Sequence, residues 1–253
     1  MQTTIIEILL LGILCLTLYK IRKVHLASFQ IEASLKNIET ESSQTYRQLQ
    51  AYLALVQLLE PRQPLPLLRG WAASPDFLLT LAKHALNDRP QTILECSSGA
   101  STVVLARCCE LNGRGHVYSL EHDPEYAEKS RKLIAEHGLE TWSTIIDAPL
   151  IHHSQIERSN WYSLEALPKD FPLIDLLVID GPPGTSAPLA RLPALPLLQS
   201  YFSPFISIFL DDADREDEKE IVRRWQSMLP NLILERPYTE KGCAILRPQK
   251  IKI

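Results

Sequence analysis

This chain lacks several features that would place it in a class at once. Its five cysteines form no Cys-x-x-Cys pair and no zinc-ligand spacing (Cys15, Cys96, Cys108, Cys109 and Cys243). Scattered thiols in odd number favour a reducing compartment over a disulfide framework. The net charge of −4 gives no electrostatic reason to bind nucleic acid, so we expect no nucleic-acid partner. The sequence has no internal repeat, and its 253 residues suffice for one full domain with an appendage.

Glycine is scarce, and the three-glycine fingerprint of dinucleotide-binding turns is missing. The chain has 9 glycines, and only Gly99 lies in the small-residue turn 97–100 that follows an apolar strand. An NAD-dependent oxidoreductase is therefore a weak interpretation. Small residues still let the backbone approach a ligand closely, and a helix N-terminus offers free N–H groups. Taken alone, the turn fits an ordinary strand-to-helix connection as well as a binding site.

The longest hydrophobic run is near the N-terminus, at 3–19, where Glu7 is the one charged residue. Three basic residues follow it at once (Lys20, Arg22 and Lys23). Charges after the run, with no small-residue cleavage site, argue against a cleaved signal peptide. By the positive-inside rule, the sequence predicts a single-pass anchor at 1–23 in the cell inner membrane, with the folded domain in the cytoplasm. A buried or amphipathic helix packed on a partner is the alternative.

Residues 24–60 contain neither glycine nor proline and predict a helical stalk. Apolar residues recur there at helical spacing (Ile31, Leu35, Ile38, Leu49, Leu53 and Val56). A homodimer formed through the stalk is a hypothesis, because the heptad is too broken to establish a coiled coil. The Pro-rich segment 61–66 stops the helix, so we expect the folded domain to span 61–253.

Strand-like and helix-like segments alternate regularly after residue 74. The predicted strands are Thr92–Glu95, His116–Leu120, Ser143–Ile146, Ile174–Asp180, Ile206–Asp211, Leu232–Glu235 and Cys243–Leu246. The predicted helices are 74–86, Ser101–Leu111, Pro124–Glu136 and Asp214–Met228. This alternation predicts an α/β fold with a three-layer, doubly wound, mostly parallel seven-stranded sheet. The last two strands lie close enough in sequence to form a C-terminal antiparallel hairpin.

Acidic residues end the first predicted strands, at the edge where open α/β sheets bind nucleotide-like ligands. Glu95 ends the first strand. Glu121 follows the second strand and can accept hydrogen bonds from both hydroxyls of a ribose. Asp147 and Ala148 follow the third strand and suit the wall beside an adenine ring, although a plain turn fits them equally. Two acids at consecutive strand ends suit a ligand with a cationic amino-acid part and a ribose, and S-adenosylmethionine (SAM) is the first candidate.

Three more carboxylates belong to the ends of the fourth and fifth strands, which we expect to be neighbours. Asp180 ends the fourth strand, and Asp211 and Asp212 end the fifth. Crowded like charges are costly unless a cation lies among them, and oxygen ligands of this kind suit Mg²⁺. Such an ion could bind the hydroxylate of a substrate and lower its pKa. The alternative is that Asp212 or Asp214 caps the next helix and that Arg215 neutralises the cluster.

The long connection between the third and fourth strands carries His152, His153, Trp161 and Tyr162. Long connections at the ligand edge often hold substrate contacts, and a histidine can act as a general base near neutral pH. Paired loop histidines are more often solvated than catalytic.

Five stretches together resemble the class I SAM-dependent methyltransferases, and more narrowly the bacterial O-methyltransferase-like proteins of the methyltransferase-24 type. These stretches are Leu68–Pro75, Leu94–Thr102, Tyr118–Asp123, Leu177–Pro183 and Leu210–Arg215. The resemblance covers 65–247 and implies that SAM is bound by Glu95, Ser97, Gly99, Ser101, Glu121, His122, Asp147 and Ala148. In metal-dependent relatives the matching cation ligands are Asp180, Asp211 and Asp212. The family normally has glycine where this chain has Ser97.

The sequence thus predicts a membrane-anchored SAM-dependent methyltransferase in which Asp180 and Asp211 are the candidate catalytic residues. Its acceptor is expected to be an oxygen of a small molecule, a sugar or a lipid-linked glycan, and its cofactors to be SAM and, by the acidic cluster, Mg²⁺. Since Ser97 replaces a glycine, a catalytically silent scaffold of the same fold, acting at the membrane through its stalk, is the alternative.

Overall fold

The computed structural model of the protein describes residues 2–153 and 160–249. Met1 and 250–253, which lie in the predicted anchor and at the end of the predicted domain, are outside the described residues. The chain divides into two compact units, 1–47 and 48–253. The first unit belongs to one long helix, α1 (Gln2–Leu59), which contains both the predicted anchor and the predicted stalk. By length and composition, α1 is the one described helix that could cross a membrane.

A seven-stranded sheet forms the centre of the second unit, as predicted. Its strands are β1 (Thr92–Cys96), β2 (His116–Glu121), β3 (Ser143–Asp147), β6 (Ile174–Ile179), β7 (Phe202–Asp211), β8 (Leu232–Glu235) and β9 (Cys243–Pro248), and two short strands outside it are β4 (Leu150–His152) and β5 (Asn160–Tyr162). The order across the sheet is β3-β2-β1-β6-β7-β9-β8. The first five strands in this order are parallel, whereas β9 is antiparallel to both β7 and β8. The C-terminal antiparallel hairpin is confirmed.

The part of the chain that the structure describes contains five more α-helices: α2 (Pro75–Asp88), α3 (Ala100–Asn112), α4 (Pro124–Glu136), α5 (Ala194–Leu198) and α6 (Glu216–Met228). Helix α2 precedes the first strand, and the other four lie between strands. The start of α4 shows how the sequence sets a boundary. Oδ1 of Asp123 accepts hydrogen bonds from the N–H groups of Glu125 and Tyr126, at 2.8 and 3.2 Å. Pro124 occupies the first helical position, where its missing N–H costs nothing.

Two apolar clusters cover the two faces of the sheet. In β1, Ile93 belongs to one cluster and Leu94 to the other, because consecutive strand residues point to opposite faces. The first cluster includes Leu55 and Leu59, both fully buried. The last turns of α1 therefore pack within the second unit, although the sequence assigned them to the stalk.

Three details of the chain depart from the sequence prediction. The small antiparallel pair β4–β5 was not predicted, because strands of three residues are too short to show an alternating pattern. Strand β7 begins at Phe202, and Pro204 within it hides the strand pattern. Helix α6 begins two residues late, because the N–H groups of Ala213 and Asp214 donate to the carbonyl oxygens of Gly242 and Lys241.

Candidate active site

A cavity of about 880 Å³ opens at the carboxyl edge of the parallel strands. Four strand ends contribute to its lining, through Ser97, Glu121, Asp180 and Asp212. Trp71 and Lys241, on loops outside the sheet, also line it. Ligand pockets occupy roughly 300–1,000 Å³, so the cavity is near the upper end of the size of a small-molecule site.

Ser97, in the turn after β1, holds a backbone conformation that favours glycine. Its φ is +108°, a region that residues with a Cβ rarely adopt. Its N–H donates a hydrogen bond to the carbonyl oxygen of Leu120 at 2.9 Å, which fixes the turn against β2. The chain therefore makes the turn that glycine would make, at a conformational cost of about 1–2 kcal/mol.

Glu95 supports this turn from inside the protein. Its carboxylate is fully buried, and Oε2 accepts hydrogen bonds from Thr102 Oγ1 at 2.6 Å and Ser119 Oγ at 2.7 Å. Thr102 Oγ1 in turn accepts from the N–H of Gly99 at 3.0 Å. Burial raises the pKa of Glu95, and hydrogen bonds from Ser101 and Thr102 oppose the rise. Glu95 is not among the described residues that line the cavity, so its contacts hold the turn and the start of α3.

Glu121, at the end of β2, is the carboxylate that lines the cavity on the side of β1 and β2. This side is called the cofactor half below, and the side of Asp180 and Asp212 the acceptor half. Its Oε2 accepts from Ser98 Oγ at 2.9 Å, and its Oε1 accepts from the N–H groups of His122 and Asp123 at 2.9 and 3.1 Å. Nδ1 of His122 also lies 3.1 Å from Oε1. Burial would raise the pKa of Glu121, but these donors lower it below its ordinary value. Glu121 is therefore an ionised acceptor held in one orientation in the cavity wall.

Four further residues predicted to bind the cofactor are absent from the described lining of the cavity: Gly99, Ser101, Asp147 and Ala148. Gly99 and Ser101 are at the start of α3. The carboxylate of Asp147 is mostly exposed and pairs with Nη2 of Arg131 at 2.5 Å. Ala148 is buried, and its N–H donates to the carbonyl oxygen of Glu121 at 2.7 Å. The structure brings together Ser97, Glu121 and His122 from the predicted cofactor set.

The opposite half of the cavity contains a buried arginine that the sequence analysis did not identify. Nη2 of Arg191 lies 2.8 Å from Oδ2 of Asp212 and 3.5 Å from Oδ1 of Asp180, and Nη1 lies 3.7 Å from Oε1 of Glu218. The guanidinium also donates to the carbonyl oxygens of Asp211 and Asp180, at 2.8 and 2.9 Å. Burial would lower the pKa of Arg191, but the three carboxylates raise it, so the guanidinium stays charged.

The two predicted catalytic acids have different surroundings. Asp180 lines the cavity, and burial raises its pKa to about 6 although Arg191 lowers it. Asp211 is fully buried, and neither of its carboxylate oxygens has a hydrogen-bond partner among the described residues. Burial, together with Asp180 and Asp212, raises the pKa of Asp211 well above its usual range. Of the two, only Asp180 is placed to contact a ligand in the cavity.

The predicted Mg²⁺ site formed by Asp180, Asp211 and Asp212 does not fit this arrangement. The described residues contain no group of three or more His, Cys, Asp or Glu side chains that could hold a metal ion. The guanidinium of Arg191 lies among these carboxylates, and Nη1 of Arg215 lies 3.0 Å from Asp212 Oδ2. The unpartnered oxygens of Asp211 are shielded from the cavity, so they offer no access to an entering ion.

The predicted residues of the long connection divide between the cavity and its surroundings. Tyr162 lines the cavity, and its buried hydroxyl has no hydrogen-bond partner among the described residues. A Cβ at Gly181 would overlap that hydroxyl, so the close contact requires glycine there. His152 is exposed, and Nε2 of His153 lies 3.1 Å from the carbonyl oxygen of Tyr162. Neither histidine is among the described lining residues.

One feature of the sequence indicates that Arg191 is buried with a partner. It is the only charged residue in the Pro- and Leu-rich segment 186–198. A single charge in an apolar segment predicts burial with a partner, because an unpaired buried charge is very costly. Its partners could not be read from the sequence, since they are contributed by β6, β7 and α6.

Comparison with known proteins shows what the domain is similar to. A protein-family model described as a methyltransferase domain, of the methyltransferase-24 type, matches residues 94–213. The matched residues run from within β1 to the turn after β7 and include Glu121, Asp180 and Asp212 of the cavity wall, whereas Arg215 and Lys241 lie outside them. No curated protein matches the chain at a significant level of sequence similarity.

Solved structures share the fold. The O-methyltransferase from Bacillus cereus, in complex with S-adenosylhomocysteine (SAH), superposes with a TM-score of 0.54 and 17% identity, over 79% of this chain and 91% of that one. SAH-bound PaMTH1 from Podospora anserina gives 0.53 and 16%, over 78% and 88%. TomG from Streptomyces achromogenes, an O-methyltransferase of tomaymycin synthesis in complex with SAM, gives 0.52 and 17%, over 82% and 96%.

Identities of this size establish a shared fold, and the family model adds a similarity in sequence over residues 94–213. Residues 94–213 are therefore similar to methyltransferase domains of the methyltransferase-24 type, and the fold is the one that solved SAM- and SAH-bound methyltransferases have.

Proposed function

We propose that this chain is a membrane-anchored methyltransferase that methylates an oxygen of a small-molecule, sugar or lipid-linked acceptor, using SAM. The observation that supports it most is the cavity, which has the carboxylate of Glu121 in one wall and that of Asp180 in the other. The Bacillus cereus and Streptomyces achromogenes O-methyltransferases, which share the fold, were crystallised with SAH and SAM.

In this proposal the half of the cavity around Ser97 and Glu121 holds the cofactor. Glu121 accepts hydrogen bonds from the ribose hydroxyls, and His122 and Ser98 keep its carboxylate in place. Glu95 acts indirectly, because its contacts hold the turn at Gly99 rather than the ligand. When bound, SAM supplies a methyl group that its sulfonium centre already activates. The protein then needs mainly to align the acceptor and exclude water.

Asp180 is the acceptor-side residue of the proposal. Its carboxylate lines the cavity next to Tyr162, and its Oδ1 lies 3.5 Å from Arg191. A carboxylate in this place can accept a hydrogen bond from the hydroxyl of the acceptor and take its proton as the methyl group is transferred. Asp211 is fully buried and does not line the cavity, so in this proposal it does not touch the acceptor.

Isothermal titration of the full-length protein in mild detergent with SAH tests the cofactor half. We expect wild-type binding, and about 10- to 100-fold weaker binding by Glu121→Gln, because hydrogen bonds to a charged acceptor contribute about 1.5–3 kcal/mol. Glu125→Gln, at an exposed site four residues further on, is the matched control and should bind like the wild type. If the wild type binds no SAH, the proposal fails and the silent scaffold is favoured.

The silent scaffold remains the second candidate because of one observation, the serine at φ +108° in the binding turn. A scaffold would act through surfaces other than the cavity. The apolar side chains Ile31, Leu35 and Ile38 of α1 are each about 60% exposed and offer such a surface for a homodimer. Both candidates can share this dimer, so cofactor binding distinguishes them and oligomeric state does not.

Membrane anchoring is the part of the proposal that α1 supports. Its apolar residues at 3–19 are exposed and are followed by three basic residues. By the positive-inside rule, this pattern supports a domain on the cytoplasmic side of the inner membrane. Fractionation of expressing cells tests this. Full-length protein should stay with the membranes through alkaline carbonate washing, whereas deletion of 1–23 should release it. Extraction of the full-length protein by carbonate would favour a helix that only packs on a partner.

A further inference from the structure

The acidic end of the cavity contains its own fixed cation. Arg191 is held by five contacts, two to the carbonyl oxygens of Asp180 and Asp211 and three to carboxylates. Its side chain is 3% exposed. Both terminal nitrogens contact oxygens, while Nε has no hydrogen-bond partner among the described residues. A side chain so buried, with both ends of its guanidinium held, occupies one position in the structure, as a bound ion would.

Arg191 already contacts one oxygen of each of the carboxylates of Asp180, Asp212 and Glu218. Oδ2 of Asp212 already lies 2.8 Å from Arg191 and 3.0 Å from Arg215. Mg²⁺ requires about six oxygen ligands at about 2.0–2.1 Å in near-octahedral geometry. An ion that close to Asp212 Oδ2 would lie next to two guanidinium groups, and like charges at such distances repel strongly. A divalent cation there would thus meet positive charge, and the oxygens without a partner among the described residues, Oδ1 of Asp212 and both of Asp211, are buried.

We propose that Arg191 takes the place of the divalent cation, so that the acceptor end of this cavity binds no metal. Arg191 then acts as a positioning residue, which holds Asp180 at the cavity wall by its contacts to the carbonyl and carboxylate oxygens of that residue. The proposal that the acceptor end of the cavity binds no metal does not depend on the proposed function. Its consequence for the reaction rests on the proposed function.

That consequence concerns the class of acceptor. A metal ion could bind two adjacent acceptor oxygens at once, whereas Asp180 can only accept hydrogen bonds from acceptor hydroxyls and take one proton. The acceptor class is therefore a molecule that is held without chelation, for which a single hydroxyl suffices. In the transfer, the acceptor oxygen gains the methyl group as the carbon–sulfur bond breaks. The proton of the hydroxyl passes to Asp180, and SAH is left.

Titration with Mn²⁺, followed by the electron paramagnetic resonance signal of the free ion, tests the proposal. Full-length protein in mild detergent, with saturating SAH, should leave the free-ion signal unchanged up to millimolar Mn²⁺. Arg191→Met removes the guanidinium and keeps the carboxylates, so its affinity for Mn²⁺ should rise by about tenfold or more. Arg215→Met removes an exposed contact of the same Asp212 and is the matched control, with no comparable rise.

Binding of one Mn²⁺ by the wild type with micromolar affinity, abolished by Asp180→Asn, would overturn the proposal. The wild-type titration decides the matter even if Arg191→Met does not fold. SAH binding is measured on the same sample before Mn²⁺ is added. Failure to bind SAH would overturn the proposed function alone, because the Mn²⁺ titration can be repeated without SAH.

Discussion

The two halves of the cavity contain the same kind of group, buried carboxylates at strand ends, and stabilise it in two different ways. In the cofactor half, Glu95 and Glu121 accept hydrogen bonds from hydroxyls and main-chain N–H groups. In the acceptor half, Asp180 and Asp212 surround a buried guanidinium. Neutral donors orient a carboxylate and leave its charge available, whereas a guanidinium balances the charge.

This difference indicates which kind of ligand each half of the cavity can bind. Glu121 stays ionised and faces a cavity, so it can still accept donors from a ligand. Asp212 already has two cationic partners. The cofactor half is thus ready for a ligand rich in hydroxyl donors, whereas the carboxylates of Asp180 and Asp212 in the acceptor half already have guanidinium partners.

The largest expected effect concerns the guanidinium. Arg191→Met should lower the free energy of unfolding by about 3–5 kcal/mol, because it leaves buried carboxylates without their cation. Arg215→Met is the matched control. Its side chain is 54% exposed, so its ion pair with the same carboxylate should contribute less than about 1 kcal/mol. Urea denaturation of the full-length protein in detergent measures both free energies of unfolding. Equal losses would contradict the idea that the buried guanidinium of Arg191 is what stabilises the carboxylates of the acceptor half.

A smaller effect is expected in the turn of the cofactor half. Ser97→Gly should raise the free energy of unfolding by about 0.5–1 kcal/mol. The substitution removes the backbone strain of a Cβ at positive φ, and this gain exceeds the larger conformational entropy that glycine gives to the unfolded chain. SAH affinity should stay equal or rise. Ser200→Gly is the control: Ser200 lies in a 3₁₀ turn and does not have positive φ, so that substitution should destabilise slightly. If Ser97→Gly is destabilising, the serine has a contact that offsets its backbone conformation.

The smallest effect is a pH dependence in the cofactor half. The hydrogen bond with Glu121 raises the pKa of His122 above its ordinary value, while the lowered pKa of Glu121 keeps that carboxylate ionised. The stabilisation from this pair is therefore complete below the unfolded pKa of histidine and is lost as pH rises through the raised pKa. His122→Gln should lower the free energy of unfolding by less than about 1 kcal/mol at about pH 5.5, and by still less at about pH 9. Thermal unfolding at both values measures this, and a constant difference would contradict it.

Much of the fold was predictable because local sequence and tertiary structure agree. Strand β8 and helix α4 have the predicted bounds, Leu232–Glu235 and Pro124–Glu136. Their ends are set by nearby residues, such as the cap at Asp123. Helix α6 was placed two residues early because its start depends on hydrogen bonds to Gly242 and Lys241, which are distant in sequence.

The candidate site was only partly predictable. Residues at the ends of parallel strands were assigned to the correct edge, so Glu121, Asp180 and Asp212 line the cavity. The sequence could not distinguish a residue that lines the cavity from one buried next to it. Asp211 and Asp212 are adjacent in the chain, yet Asp212 faces the cavity and Asp211 is enclosed.

The sequence by itself determined the α/β alternation, the antiparallel end of the sheet and the edge at which acids gather. These follow from local periodicity and from the shared direction of parallel strands. Only the tertiary structure decided which cation those acids meet. Arg191 reaches Asp180, Asp212 and Glu218 because three separate elements converge around it, and no spacing in the chain encodes that convergence.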